Sequence, residues 1–342
     1  MKKHYKNAKV PLLICVLALF LTGSVAPDVS HAEYPIPGKT IIFIVPVAVG
    51  GGYDAYTRLL VPYLSKELGA KIVIRNTPGA EWKIGYHKIY TAKPDGHTIG
   101  IWNPGPLAND KDILGKVDYD MTTFTFLYRI CNEPRVVVTK AGGDIKDFKD
   151  LLEKGRSPDF KMRAASDGGV SLLEIKLMES EWGIKSEVIP YTGGSPTRMA
   201  VMRGDAHFTT ASLSSAIDSL STGRVTFPIL LHEEALTEVS EAEKFISEYP
   251  QLKNVPIPAD LGLKNLSFVG YAARAIIAPP GLPKDVKETL ENALERVVRN
   301  ETLRKEALKK DRPLGKGLRG DAYRDLMKRD KEVLIKIKHL IQ

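Results

Sequence analysis

The residues best placed to do chemistry are glycines that open helices. In Val45-Pro46-Val47-Ala48-Val49-Gly50-Gly51-Gly52-Tyr53-Asp54, an apolar β-like segment passes through three glycines into a helical pattern. A turn of this kind leaves backbone N–H groups unpaired and directed outward, with the positive end of the helix dipole behind them. It receives phosphate or carboxylate equally well. Taken alone, the loop is as readily an ordinary strand-to-helix connection with Asp54 as its N-cap. The spacing Gly50-x-Gly52-x-x-Ala55 also meets the loose dinucleotide fingerprint. Two features argue against a nucleotide. Residues 46–49 separate the strand from the first glycine, and the next strand ends in Arg75-Asn76, with no acid for a ribose hydroxyl. No cofactor is expected.

Two further loops have the same physical character. Ser166-Asp167-Gly168-Gly169-Val170-Ser171 offers free N–H groups and two hydroxyls. Tyr191-Thr192-Gly193-Gly194-Ser195-Pro196-Thr197 has a proline placed for a helix start. Each alone is ordinary loop chemistry; three together favour one cleft that binds a carboxylate. Gly51 and Gly169 are the positions where a side chain would most obstruct that approach, and each is a candidate for a positive φ.

Catalytic constellations are missing. His87, His97, His207, His232 and His339 lack metal-ligand spacing, and Ser195 is followed by Pro196 rather than set in a nucleophile elbow. No catalytic residue and no metal is expected. An exported α/β enzyme acting on a carboxylate or phosphate ester is the alternative; it would need a base or nucleophile within reach of the substrate, and no motif supplies one. A sensory role, with the liganded protein docking on a membrane receptor, is a third possibility.

The elements that must carry these loops alternate between strand and helix, which predicts an α/β sheet architecture. Strands are expected at 41–45, 71–75, 98–102, 161–165, 187–190, 206–209 and 225–231. Helices are expected at 54–68, 83–92, 147–154 and 172–182, the first closed by Gly69 and kinked at Pro62. Charged helices follow the proline-rich run at 279–283. The plan is two α/β lobes, one inserted into the other: residues 33–137 with 268–342, and residues 138–267. The chain crosses between them near 135–139 and 268–274.

The first 32 residues look like a leader. Lys2, Lys3, Lys6 and Lys9 precede an apolar run at 10–21, too short to span a bilayer, and Ser30-His31-Ala32 offers a small-residue cleavage site. A membrane anchor is the alternative reading. Cleavage after Ala32 would leave a periplasmic protein with Cys131 as its single cysteine, so no intrachain disulfide is expected. The net charge of +8 over 342 residues is mild and interleaved with acids near the C-terminus, which speaks against nucleic acid and leaves room for anionic ligands.

Read in order, the motifs resemble one family. "VPVAVGGGYDAYTRLL", "NTPGAEWKIG", "KPDGHTIGI", "SDGGVS", "IPYTGGSPTRMAVMRGDAHF", "YPQLKNVPIPADLG" and "APPGLP" are similar to successive segments of the Bug family, the periplasmic substrate-binding proteins of tripartite tricarboxylate transporters. The resemblance covers nearly the whole chain after the leader. It implies a two-lobed clamshell, type II periplasmic-binding-protein-like, with a small organic acid in the interlobe cleft and integral-membrane permease subunits as partners. A monomer is expected. It also implies that ligand carboxylates meet two glycine loops, partly through ordered water: Val49, Gly50, Gly51, Gly52, Tyr53 and Asp54 in the first, and Ser166, Asp167, Gly168, Gly169, Val170 and Ser171 in the second. Thr192 and Asp205 fall on positions near the cleft. The sequence departs from the family at Glu81-Trp82-Lys83, where a further glycine pair is usual. These side chains either reshape the cleft mouth or lie on an exposed helix start. Tyr53 is placed to stack on a flat ligand.

Overall fold

Ile41-Ile42-Phe43-Ile44-Val45 has no polar side chain, as a strand covered on both faces requires. In the computed structural model, which describes residues 34–232, 243–263 and 271–341, it forms β1 (Ile41–Val45) inside a mixed sheet. The chain continues through α1 (Gly52–Leu68), β2 (Ile72–Asn76), α2 (Lys83–Tyr90), β3 (Thr98–Trp102) and the long β4 (Thr125–Lys140). Next come α3 (Phe148–Arg156), β5 (Arg163–Ser166), α4 (Gly169–Trp182), β6 (Glu187–Pro190), α5 (Gly194–Arg203), β7 (Phe208–Ser212) and α6 (Leu213–Leu220). The remainder is β8 (Val225–Thr226), β9 (Leu230–Leu231), α7 (Glu243–Glu248), β10 (Tyr271–Ala278), α8 (Lys284–Arg299), α9 (Glu301–Lys309), β11 (Leu318–Arg319) and α10 (Gly320–Ile341).

The main path of the sheet runs β2-β1-β3-β10-β4-β7-β5-β6. β1 pairs in parallel with β2 and β3, and β5 pairs in parallel with β6 and β7. These are two parallel α/β groups, and β4 joins them. Its first part, through Pro134, pairs antiparallel with β10, and from Arg135 to Thr139 it pairs with β7. This change of partner at 134/135 lies beside the crossing expected near 135–139. The crossing expected near 268–274 lies partly outside the described residues, which resume at Tyr271 with β10.

Most expected elements are present within a residue or two. α1 runs on through Pro62 as one helix and ends at Gly69 in a left-handed conformation, φ 61°. The expected strand at 225–231 is instead two short pieces, β8 and β9, because Pro228 interrupts it and cannot donate to a ladder. The leader and its cleavage site lie outside the described residues. Among those described, no helix is long and apolar enough to cross a membrane.

The core is continuous across the sheet. Phe43, Trp102 and Ile276 belong to the same buried cluster as Leu173, Met178 and Trp182 of α4. α4 also packs against α10 and the 3-10 turn Gly105–Asn109. Those contacts bring the two α/β groups face to face where the glycine loops meet.

Candidate functional site

Four strand-to-helix junctions converge on one polar cavity of about 40 Å³. Gly51, Gly52 and Tyr53 enter from the start of α1, and Asp167, Val170 and Ser171 from the start of α4. Gly194 and Arg198 come from α5, and Ser212 and Ser215 from the β7–α6 junction. The four helix N-termini add partial positive charge where backbone N–H groups are left without intrahelical acceptors. The sequence pointed to three of these junctions. It missed α6, whose glycine-free Ser212-Leu213-Ser214-Ser215 start carries none of the same signal.

Three arginines also face this cavity: Arg135, Arg198 and Arg274. Arg274, from β10, is buried between the faces of Tyr53 and Tyr56, its guanidinium carbon 4.8 and 4.1 Å from their ring centroids. It donates to Glu133 and to Ser212 Oγ (2.9 Å). Arg135, from β4, donates to Glu174 and to Thr210 Oγ1 (3.1 Å). Burial opposes its charge, but Glu174 outweighs burial and holds its pKa above the ordinary value. Arg198 is different. It donates to Ser219 Oγ (3.2 Å) and the Gly194 carbonyl (2.9 Å), and among the described residues no carboxylate pairs with it. Burial pulls its pKa down to about 10, so it remains a cation at neutral pH. No local motif announces these arginines; residues 135, 198 and 274 meet only through the sheet.

The first loop divides its labour. Gly50 has φ 88° and donates its N–H to Asp54 Oδ2 (2.9 Å), and the same carboxylate holds Arg58 and Asn76. Asp54 therefore braces the loop from behind and does not line the polar cavity. Val49 is 65% exposed. Within the protein itself, it is Gly52 that leaves no room for a side chain. A Cβ on Gly52 would lie 2.3 Å from Ser215 Oγ and 3.0 Å from Arg274, whereas one on Gly51, at φ −79°, would meet nothing closer than 3.8 Å. Tyr53 is buried, with Arg274 over its ring and Trp82 in a T-shaped contact with it.

In the second loop, Ser171 Oγ donates to Asp167 Oδ1 (2.6 Å) and stands 3.0 Å from Ser166 Oγ. Burial pushes the Asp167 carboxyl above the ordinary range, against the pull of Ser171, Arg135 and Arg198. Gly168, at φ 77°, is needed where Glu81 packs on it; an added Cβ would lie 2.9 Å from Glu81 Cβ. Thr192, in the third loop, receives the Ala48 N–H on its carbonyl (3.4 Å) and so ties the first loop to the third. Asp205 is not part of this constellation. It sits past the far end of α5, about 15 Å along the helix from Gly194, where it pairs with Arg203 (2.6 Å) and is half exposed.

A larger space of about 490 Å³ adjoins the polar cavity and shares Val47 and Asp167 with it. Ser166, Gly168 and Thr192 line it. Its other side is the departure noted in the sequence. Ala80, Glu81 and Trp82 take φ values of 47°, 53° and 75°, a left-handed run that costs non-glycine residues about 1–2 kcal/mol each. What offsets it is contact. The Trp82 ring is buried edge-on against Tyr53 (4.9 Å), its indole N–H donates to the Asp167 carbonyl (3.2 Å), and Glu81 pairs with Lys116 (3.1 Å). The segment is therefore not an exposed helix start. It reaches across to the second loop and lines the larger space. Among the described residues, no group of three His, Cys, Asp or Glu side chains is placed to hold a metal ion.

Comparison with known proteins agrees on one family. The model described as "Tripartite tricarboxylate transporter family receptor" matches residues 57–341. Protein BugT of Bordetella pertussis is 24% identical over 274 residues, covering 79% of each chain. Two solved structures share the fold. The periplasmic binding protein BugD superposes with a TM-score of 0.76 at 19% identity, over 89% of this chain and 98% of that one. MatC from Rhodopseudomonas palustris with bound malate gives 0.77 at 20% identity, over 90% and 100%. The fold is the α/β, two-lobed clamshell of periplasmic binding proteins.

Proposed function

The chain belongs to the tripartite tricarboxylate transporter family of receptors, and on that premise we propose that its cleft captures a small organic carboxylate outside the cytoplasmic membrane and delivers it to the transporter's permease subunits. The observation that carries this reading is the convergence of four helix N-termini and Arg198, which has no direct ion pair among the described residues, on one small cavity. Each contributes positive potential where water is scarce, and charge-assisted hydrogen bonds there are about twice as strong as neutral ones. Gly51, Gly52, Ser171 and Arg198 take the carboxylate, and Thr192 holds the third loop against the first. Arg135 and Arg274 shape the pocket while their own charges are met by Glu174 and Glu133. The role is capture without turnover. MatC, the structural neighbour with malate bound, supports an acid of this kind as the cargo.

The lobes proposed are residues 33–137 with 268–342, and residues 138–267. Export removes residues 1–32, and the mature monomer begins Glu33-Tyr34-Pro35. A thermal-shift screen of mono-, di- and tricarboxylates tests the reading. An acid at a hundred times its dissociation constant adds about 2.7 kcal/mol of stability, a rise in melting temperature of about 2–4 °C per kcal/mol in a chain of this size. No rise with any acid at millimolar concentration would refute it.

A further inference from the structure

The two spaces differ in size and character in a way that specifies the cargo. Drug-sized and metabolite-sized ligands occupy clefts of about 300–1,000 Å³. The polar cavity, at about 40 Å³, accommodates a carboxylate head group or a few waters. The adjoining chamber, at about 490 Å³, is the one of ligand size. Its walls are largely apolar: Pro46 and Trp82 on one side, Leu172, Val188 and Tyr191 on the other. Two acids line it: Glu81 is paired with Lys116, and Asp167, at the join with the polar cavity, accepts from Ser171.

We infer that this chamber is a subsite for an apolar ligand body, so that the cargo is an amphipathic carboxylate, with its acid group in the arginine cavity and an aryl or alkyl body against Trp82 and Leu172. The inference rests on the carboxylate-receptor reading above. A second carboxylate at the far end of a ligand would meet no cation in this chamber and would be desolvated against apolar walls, which is unfavourable. The left-handed run from Ala80 to Trp82 then has a use. It sets an indole in the chamber wall, tied to the carbonyl of Asp167, a residue that lines both spaces, in a position the family resemblance would give to glycine. Residues held in such sparsely populated backbone conformations cluster at ligand clamps.

Calorimetric titration of the protein with 3-phenylpropionate, succinate and citrate tests the inference. The expected result is that 3-phenylpropionate binds at least about tenfold tighter than succinate, as burial of a ring in an apolar pocket requires. Leu172→Asn, a neutral polar change in the first turns of α4, should reduce that ratio about tenfold. Trp82→Gly, which adopts a left-handed backbone without strain, should reduce it as well and serves if Leu172→Asn does not fold. Succinate or citrate binding as tightly as 3-phenylpropionate, or a ratio unchanged in the variant that folds, would overturn the apolar subsite while leaving the carboxylate reading intact. Failure of all three acids to bind would overturn both.

Discussion

Arg198 carries the residue-scale account, because it is the cavity arginine without a direct ion pair among the described residues, Asp218 and Asp167 acting on it only from farther off. Arg198→Met keeps an unbranched side chain but discards one or two charge-assisted bonds worth about 1.5–3 kcal/mol each. Calorimetry should therefore show carboxylate affinity falling at least tenfold, with cooperative melting retained. Gly52→Ala should act through space: its Cβ collides with Ser215 and Arg274, so binding is lost and stability falls by about 1–3 kcal/mol, the usual cost of overpacking. Gly51→Ala should bind normally. Asp167 makes a prediction about pH. Burial raises its folded pKa, so the folded chain holds that proton more tightly than the unfolded one, and stability declines as pH rises from about 4 through the folded value. Asp167→Asn should then melt higher than wild type at pH 7 and alike below pH 4. The sequence made the glycine loops legible because each is a local string. Arg135, Arg198 and Arg274 were not legible, since nothing local ties one to another.

At the scale of elements, β4 positions the site. Glu133 and Arg135 flank the point where β4 passes from β10 to β7, and each holds one end of a buried ion pair. Glu133 also accepts the Ser214 N–H (2.9 Å) and so fixes the start of α6 beside Arg274. Removing one partner of a buried pair costs about 3–5 kcal/mol, because the remaining charge has no compensation. Glu133→Gln should accordingly lower the melting temperature by roughly 6–20 °C. Strands such as β1 and β3 were readable as apolar runs bounded by turn residues. α6 was not, because Leu213-Ser214-Ser215-Ala216 presents hydroxyls at positions the sheet buries. Pro228 showed itself only in the split of β8 from β9.

For the whole molecule, the account is of two α/β groups that meet across the glycine loops. The Ala48–Thr192 and Trp82–Asp167 hydrogen bonds cross that seam, and the polar cavity between them is smaller than a metabolite. On the lobes proposed above, the seam parts to admit ligand, with β4 and β10 as the hinge. Small-angle scattering should show a smaller radius of gyration with saturating acid than without; an unchanged radius would mean that the site is preformed. The alternation of elements revealed the α/β plan in advance, but the closeness of the two groups depended on α4 packing against α10, a contact with no sequence signature. The central claim, that the cleft recognises carboxylate charge, is tested most directly by titrating the protein with succinate, citrate and 3-phenylpropionate beside the primary amides of the same acids. The account predicts that at least one acid binds and that its amide, matched in shape but uncharged, binds at least about tenfold more weakly. Equal binding of acid and amide would contradict it.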